Sequence, residues 1–102
     1  MANQFGERIK QLREDSELLQ RHVASQMDID TPMLSKIERG ERKARKEQVL
    51  LFSKILNGNL EELLTLWLTD QVIAVVKNEA FAINAIQLAE RELNASKKNK
   101  NK

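Results

Sequence analysis

An all-α fold, with five helices forming one unit and one or two more behind it, is what the apolar pattern of this chain specifies. Three observations carry that expectation. Apolar residues recur at three- and four-residue spacings, as one face of a helix requires. Asp30, Gly40, Asn57-Gly58 and Asn59 punctuate the pattern with residues suited to helix ends. No strand signal competes: Asn57-Gly58 is not flanked by alternating apolar residues, and no long β-branched run occurs.

Taken in order, Asn3 to Glu14 reads as the first helix, with Phe5, Ile9 and Leu12 on its apolar face and Arg8, Lys10 and Gln11 opposite. Asn3 is the expected N-cap, and Gly6 slightly weakens the start. The second helix, Gln20 to Met27, has Leu19 where a capping side chain would stand. Its first N–H groups are left to water or to an anion such as phosphate. The third helix follows Asp30, which is expected to cap it; Pro32 is tolerated in its first turn, and Gly40 suits the left-handed position after its end. Glu41 to Arg45 is a basic connector, and Lys46 to Leu56 a fourth helix, with Val49, Leu50, Phe52 and Ile55 or Leu56 available for the core.

Asn57-Gly58 stops the fourth helix, and Asn59 with Glu62 three residues later opens a fifth carrying Leu60, Leu63, Leu64, Trp67 and Leu68. From Asp70 the chain reads as helical again, with Val72, Ile73 and Val76 on one face. Lys77-Asn78-Glu79 is the expected break and Asn78 the next cap, after which a helix runs to about Asn94. Residues 95–102 are low-complexity and basic, and read as a disordered tail, either a solubility device or a source of non-specific affinity.

Composition narrows the function classes. With 102 residues the chain makes one small domain and a remainder, and its modest core makes a partner subunit a natural source of stability. Cysteine is absent, which excludes disulfides and thiolate metal sites. The longest apolar run, Val72 to Val76, is far too short to span a bilayer, and no basic-then-apolar leader opens the chain. A soluble, cytoplasmic protein with no membrane partner is expected. Net charge is only +2, but Lys36 to Lys46 holds six basic and two acidic residues. That cluster is either a footprint for phosphates or a solvated loop.

The stretch Gln20 to Gly40, QRHVASQMDIDTPMLSKIERG, organises the rest. Val23, Ala24 and Met27 form one stripe, Leu34 and Ile37 another, and Asp28 and Asp30 bracket Ile29 between them. Two short helices crossing at a tight turn, with Ala24 at the close approach, make a helix-turn-helix whose second helix can enter a major groove. Thr31, Pro32, Ser35, Lys36 and Arg39 fall on its outward side.

These residues, continued as SKIERGERK, resemble the lambda-repressor-like, Cro-type (XRE) regulators, over about Phe5 to Leu68. The resemblance implies a helix-turn-helix DNA-binding domain at 1–68, with 69–94 a helical extension and candidate dimerisation element. It implies that Thr31, Pro32, Ser35 and Lys36 face base edges, and that Gln20, Arg39, Arg42 and Lys43 contact phosphate. Arg13 and Glu38 match a pair forming an internal salt bridge. Asp28 stands where the family has glycine, and tolerates left-handed backbone. Pro32 stands where a base-bonding residue is common and offers only apolar contact. Arg45 replaces the usual Ser/Thr cap and adds charge near the phosphates.

Other chemistries are weakly supported. His22 has no second histidine or cysteine to share a metal. Trp67 sits among leucines at packing distance along a helix, and Glu61/Glu62 and Glu90/Glu92 read as caps and solvated faces rather than acid–base pairs. No phosphate-binding glycine loop occurs. No enzyme activity, metal or cofactor is expected. The expected partners are double-stranded DNA and a second copy of the chain. Residues 70–93 are too apolar for a freely solvated pair of helices, and form either an inner layer or an interface. An antitoxin-like module, covering a protein partner with residues 70–93, is the alternative.

Overall fold

The computed structural model describes residues 3–100, and side chains through residue 97. Six helices and no strand occur among the described residues: α1 (Gln4–Asp15), α2 (Gln20–Met27), α3 (Thr31–Glu38), α4 (Lys46–Ile55), α5 (Leu60–Val76) and α6 (Ala82–Lys100). The apolar stripes of the first five converge on one core. Phe5 and Ile9 from α1, Val23, Ala24 and Met27 from α2, and Leu34 and Ile37 from α3 meet Val49 and Phe52 of α4 and Leu63 of α5. Phe5 and Phe52 cross edge-to-face at 5.9 Å between ring centres, a preferred aromatic geometry. α1 packs on α3 and α5, α2 on α3 and α4, and α4 on α5.

Close packing of α1 on α3 depends on Gly6. A Cβ there would stand 2.5 Å from the Ile37 carbonyl oxygen and 2.6 Å from that of Glu38. The residue expected only to weaken α1 is therefore what lets the helix lie against the end of α3.

Four expectations about element ends need correction. Asn3 does not cap α1 with its side chain; its amide donates to the Glu38 carbonyl at 2.8 Å. The first N–H groups of α1 belong instead to Asp70, which accepts from Gln4 and Phe5 at 3.0 Å each. Secondly, α5 does not end near Leu68. It runs unbroken to Val76, so a boundary between residues 68 and 69 falls inside a helix. Thr65 and Thr69 turn their hydroxyls back onto the carbonyls of Glu61 and Thr65, satisfying polar side chains without interrupting the helix.

Thirdly, Asn78 is not the cap of the last helix. Residues 77–81 form a non-helical link made largely of turns, and the first intrahelical bond of α6 runs from the Ala85 N–H to the Phe81 carbonyl at 3.0 Å. Fourthly, residues 95–100, expected in a disordered tail, continue α6. Lysine is a good helix former, and positive charge is favourable at a helix C-terminus. Residues 101–102 of that expected tail lie outside the described residues.

The extension differs from the core in burial. Val75, Phe81, Ile83 and Leu93 are each more than 60 % exposed, and every described side chain of α6 after Ala82 is exposed. Among the described residues, no helix is long and apolar enough to cross a membrane.

Candidate nucleic-acid interface

The outward side of α3 is created by what holds its inward side. Leu34 and Ile37 are buried, so the opposite side of the helix, which carries Pro32 and Lys36, turns outward. The α2–α3 turn sets the angle: Asp28 takes the left-handed conformation at φ 59°, and the Ile29 N–H returns to the Ala24 carbonyl at 3.0 Å. The Asp30 carboxylate then accepts from the Met33 N–H at 2.7 Å, capping α3, and Pro32 sits in the first turn, where no internal donor is lost. Pro32 and Lys36 emerge exposed, with Thr31 and Ser35 half-buried beside them.

The far end of α3 is anchored by charge. The structure brings Arg13 and Glu38 together as a two-pronged ion pair, Nε to Oε2 at 2.7 Å and Nη2 to Oε1 at 3.1 Å. The Glu38 side chain is only 3 % exposed, so this pair is nearly free of solvent. Arg13 also donates to the Leu18 carbonyl at 2.9 Å. The hydrogen bond to Glu38 raises the Arg13 guanidinium above its ordinary range, outweighing the opposing effect of burial. Gln20 joins the network: its amide donates to Glu38 at 2.9 Å.

The basic connector is pinned by one small residue. Gly40 ends α3 at φ 78°, and the Glu41 N–H returns to the Lys36 carbonyl at 2.8 Å. Ala44 is buried, and its carbonyl accepts the indole N–H of Trp67 at 2.7 Å. With Ala44 turned inward, its neighbours Lys43 and Arg45 project into solvent, as does Arg42. Arg45 occupies the cap position of α4, but a guanidinium has no acceptor to offer. The buried Gln48 side chain accepts from the Arg45 N–H instead, at 2.7 Å.

The five residues assigned to phosphate therefore differ in availability. Arg42 and Lys43 have no side-chain ion pair among the described residues. Arg45 lies 3.9 Å from Glu47, both exposed. Arg39 is held by Glu41 at 2.6 Å and also donates to the Ser35 hydroxyl. The Arg39–Glu41 hydrogen bond raises the arginine and lowers the Glu41 carboxyl from their ordinary ranges. His22 lies exposed on α2, and no cluster suited to a metal occurs among the described residues.

Sequence reasoning gave Asn3 a different role, as the cap of α1, and passed over the contacts of Ala44 and of the Asp70 carboxylate. Ala44 carried a usable signal, being the lone apolar residue in a charged run. Asp70 carried none nearby, because its partners lie at the opposite end of the chain.

Comparison with known proteins agrees with this geometry. The family model described as helix-turn-helix domain matches residues 4–66. Among solved structures, the clp gene regulator ClgR from Corynebacterium glutamicum is similar, with TM-score 0.59 and 18% identity over 94% of this chain and 89% of that one. A chain of the SinR protein/SinI protein complex is similar at TM-score 0.52 and 21% identity, covering 90% of this chain and 98% of that one. No match is found among curated proteins. With the family model spanning α1 to α4 and the first part of α5, the chain belongs to the helix-turn-helix domain family, and the two solved structures share its fold.

Proposed function

We propose that this protein is a sequence-specific transcriptional regulator that binds a partly palindromic DNA duplex as a dimer. The observation that carries the reading is the outward face of α3, rigidly anchored at both ends and flanked by exposed Arg42 and Lys43. Thr31, Pro32, Ser35 and Lys36 face base edges in the major groove, with Pro32 offering apolar contact such as a thymine methyl accepts. Arg42, Lys43 and Arg45 hold phosphates and supply most of the affinity. Arg39 joins them when it releases Glu41. Gln20 retains a second amide N–H for phosphate beyond the one given to Glu38. The Arg13–Glu38 pair supports the fold and makes no contact with DNA.

The exposed apolar residues of α5 and α6 support dimerisation. A solvated segment with Phe81, Ile83 and Leu93 uncovered is unfavourable, and a second copy would bury these side chains. A two-fold pairing would present two copies of α3 to half-sites about one helical turn, ~34 Å, apart. The same face also favours the second reading, a module covering a different protein through residues 70–93. The SinR neighbour is itself found in complex with another protein, SinI.

Selection of bound duplexes from a random pool tests the first reading. Enrichment of two inverted half-sites is expected; recovery of unrelated sequences would contradict it. Sedimentation at micromolar concentration separates the two uses of α6. A dimer that Phe81→Glu with Leu93→Glu converts to monomer supports self-association, and a monomer of 11.8 kDa points to a foreign partner.

A further inference from the structure

Between the start of α1, the α3–α4 connector and the middle of α5 lies a cleft of about 180 Å³. Its apolar lining includes Phe5, Ile37, Trp67 and Ile73, while Arg42 and Lys43 border the same space. The size suits one aromatic ring, since a cavity of about 150 Å³ is enough to hold benzene. Asp70 also lines the cleft, but both its carboxylate oxygens already accept backbone N–H groups, from Gln4 and Phe5. The cationic side chains of the connector are not so committed: both are exposed, and neither has an ion pair among the described residues. An apolar body with a negative head therefore matches the lining in both shape and charge.

We infer that this cleft binds a small carboxylate carrying a single aromatic or similarly compact apolar group, and that such a ligand competes with DNA for Arg42 and Lys43. The carboxylate engages the two cations while the ring lies against Trp67, Phe5 and Ile73. Because Ile37 in the last turn of α3 and Gly40 just beyond its end line the cleft, the occupied cleft sits directly behind the recognition helix. The competition rests on Arg42 and Lys43 being phosphate contacts; the binding of the carboxylate does not.

Benzoate, with benzamide as its neutral counterpart, is the probe. Trp67 is the chain's one tryptophan, so its fluorescence and its indole N–H resonance report on the cleft directly. Titration of the full chain without DNA is expected to give saturable changes with benzoate and about tenfold weaker binding of benzamide, which lacks the charge that the two cations engage. Arg42→Gln with Lys43→Gln should bring benzoate down to the benzamide level. Ala74→Leu, which adds bulk on the cleft wall, should abolish binding of both. No saturable change at Trp67, equal binding of the two probes, or full binding by the Ala74→Leu protein would overturn the site. In the second arm, benzoate should lower duplex affinity for the wild-type chain and leave Ala74→Leu unaffected. If benzoate binds and wild-type duplex affinity stays constant, the competition is wrong and the site remains. If the chain binds no duplex, the fluorescence arm still decides the cleft.

Discussion

Asp70, deep in α5, accepts the backbone N–H of Phe5 at 3.0 Å and so ties the last helix of the core to the first turn of α1. Its other oxygen takes the Gln4 N–H at the same distance, leaving two of the four free donors of α1 satisfied by a residue from outside the helix. A negative charge at this end also opposes the helix dipole favourably.

Asp70→Ala should cost about 1 kcal/mol, the usual loss when a capping acceptor is removed. The denaturant midpoint should fall, with amide exchange rising first at Gln4 and Phe5. Unchanged protection at those two amides would show that the contact contributes nothing.

Gly6→Ala sets two effects against each other. Helix propensity alone favours alanine by about 1 kcal/mol. The added Cβ would meet two backbone carbonyls at 2.5 and 2.6 Å, and backbone cannot swing aside. Overpacking of this kind costs ~1–3 kcal/mol, so a net loss of stability is expected. A raised urea midpoint would mean that α1 does not lie this close to α3.

Arg13→Met leaves Glu38 buried with only the Gln20 amide for a partner. Loss of one member of a buried pair typically costs ~3–5 kcal/mol, whereas replacing both members is far milder. Arg13→Met with Glu38→Leu should therefore be more stable than Arg13→Met alone. Equal or worse stability of the double variant would place the pair's value in the ion pair itself.

Glu41→Gln should release Arg39 for phosphate. The steepness of the log–log salt dependence should then increase by about one counterion. The wild-type chain approaches the same state in acid. Pairing lowers the Glu41 carboxyl, so the interaction is complete above the ordinary glutamate range and is lost as pH falls through the lowered value. An unaltered salt slope in Glu41→Gln would remove Arg39 from the phosphate contacts.

What the sequence made legible was chiefly what is local. The bounds of α2 and α3, the Asp30 cap and the left-handed Asp28 each depend on residues within one turn of each other. The partnership of Arg13 with Glu38 followed from family resemblance, not from spacing. Long-range relationships were hidden. Thr69-Asp70 looks like a helix break in isolation, because the threonine's bond lies inside the helix and the aspartate's partners lie at residues 4 and 5. Gly6 looks like a weakness until α3 is seen against it, and Ala44 like filler until Trp67 closes on its carbonyl. The apolar face of the extension was visible in sequence, but its lack of cover within the chain was not.

The central claim is that α3 reads sequence while the connector supplies charge. Its most direct test is the affinity ratio of selected to unrelated duplex for Lys36→Ala, measured at one salt concentration beside the wild type. The expected result is a folded protein whose ratio drops about tenfold or more, with binding to unrelated DNA changed far less. A ratio equal to that of the wild type would contradict the claim.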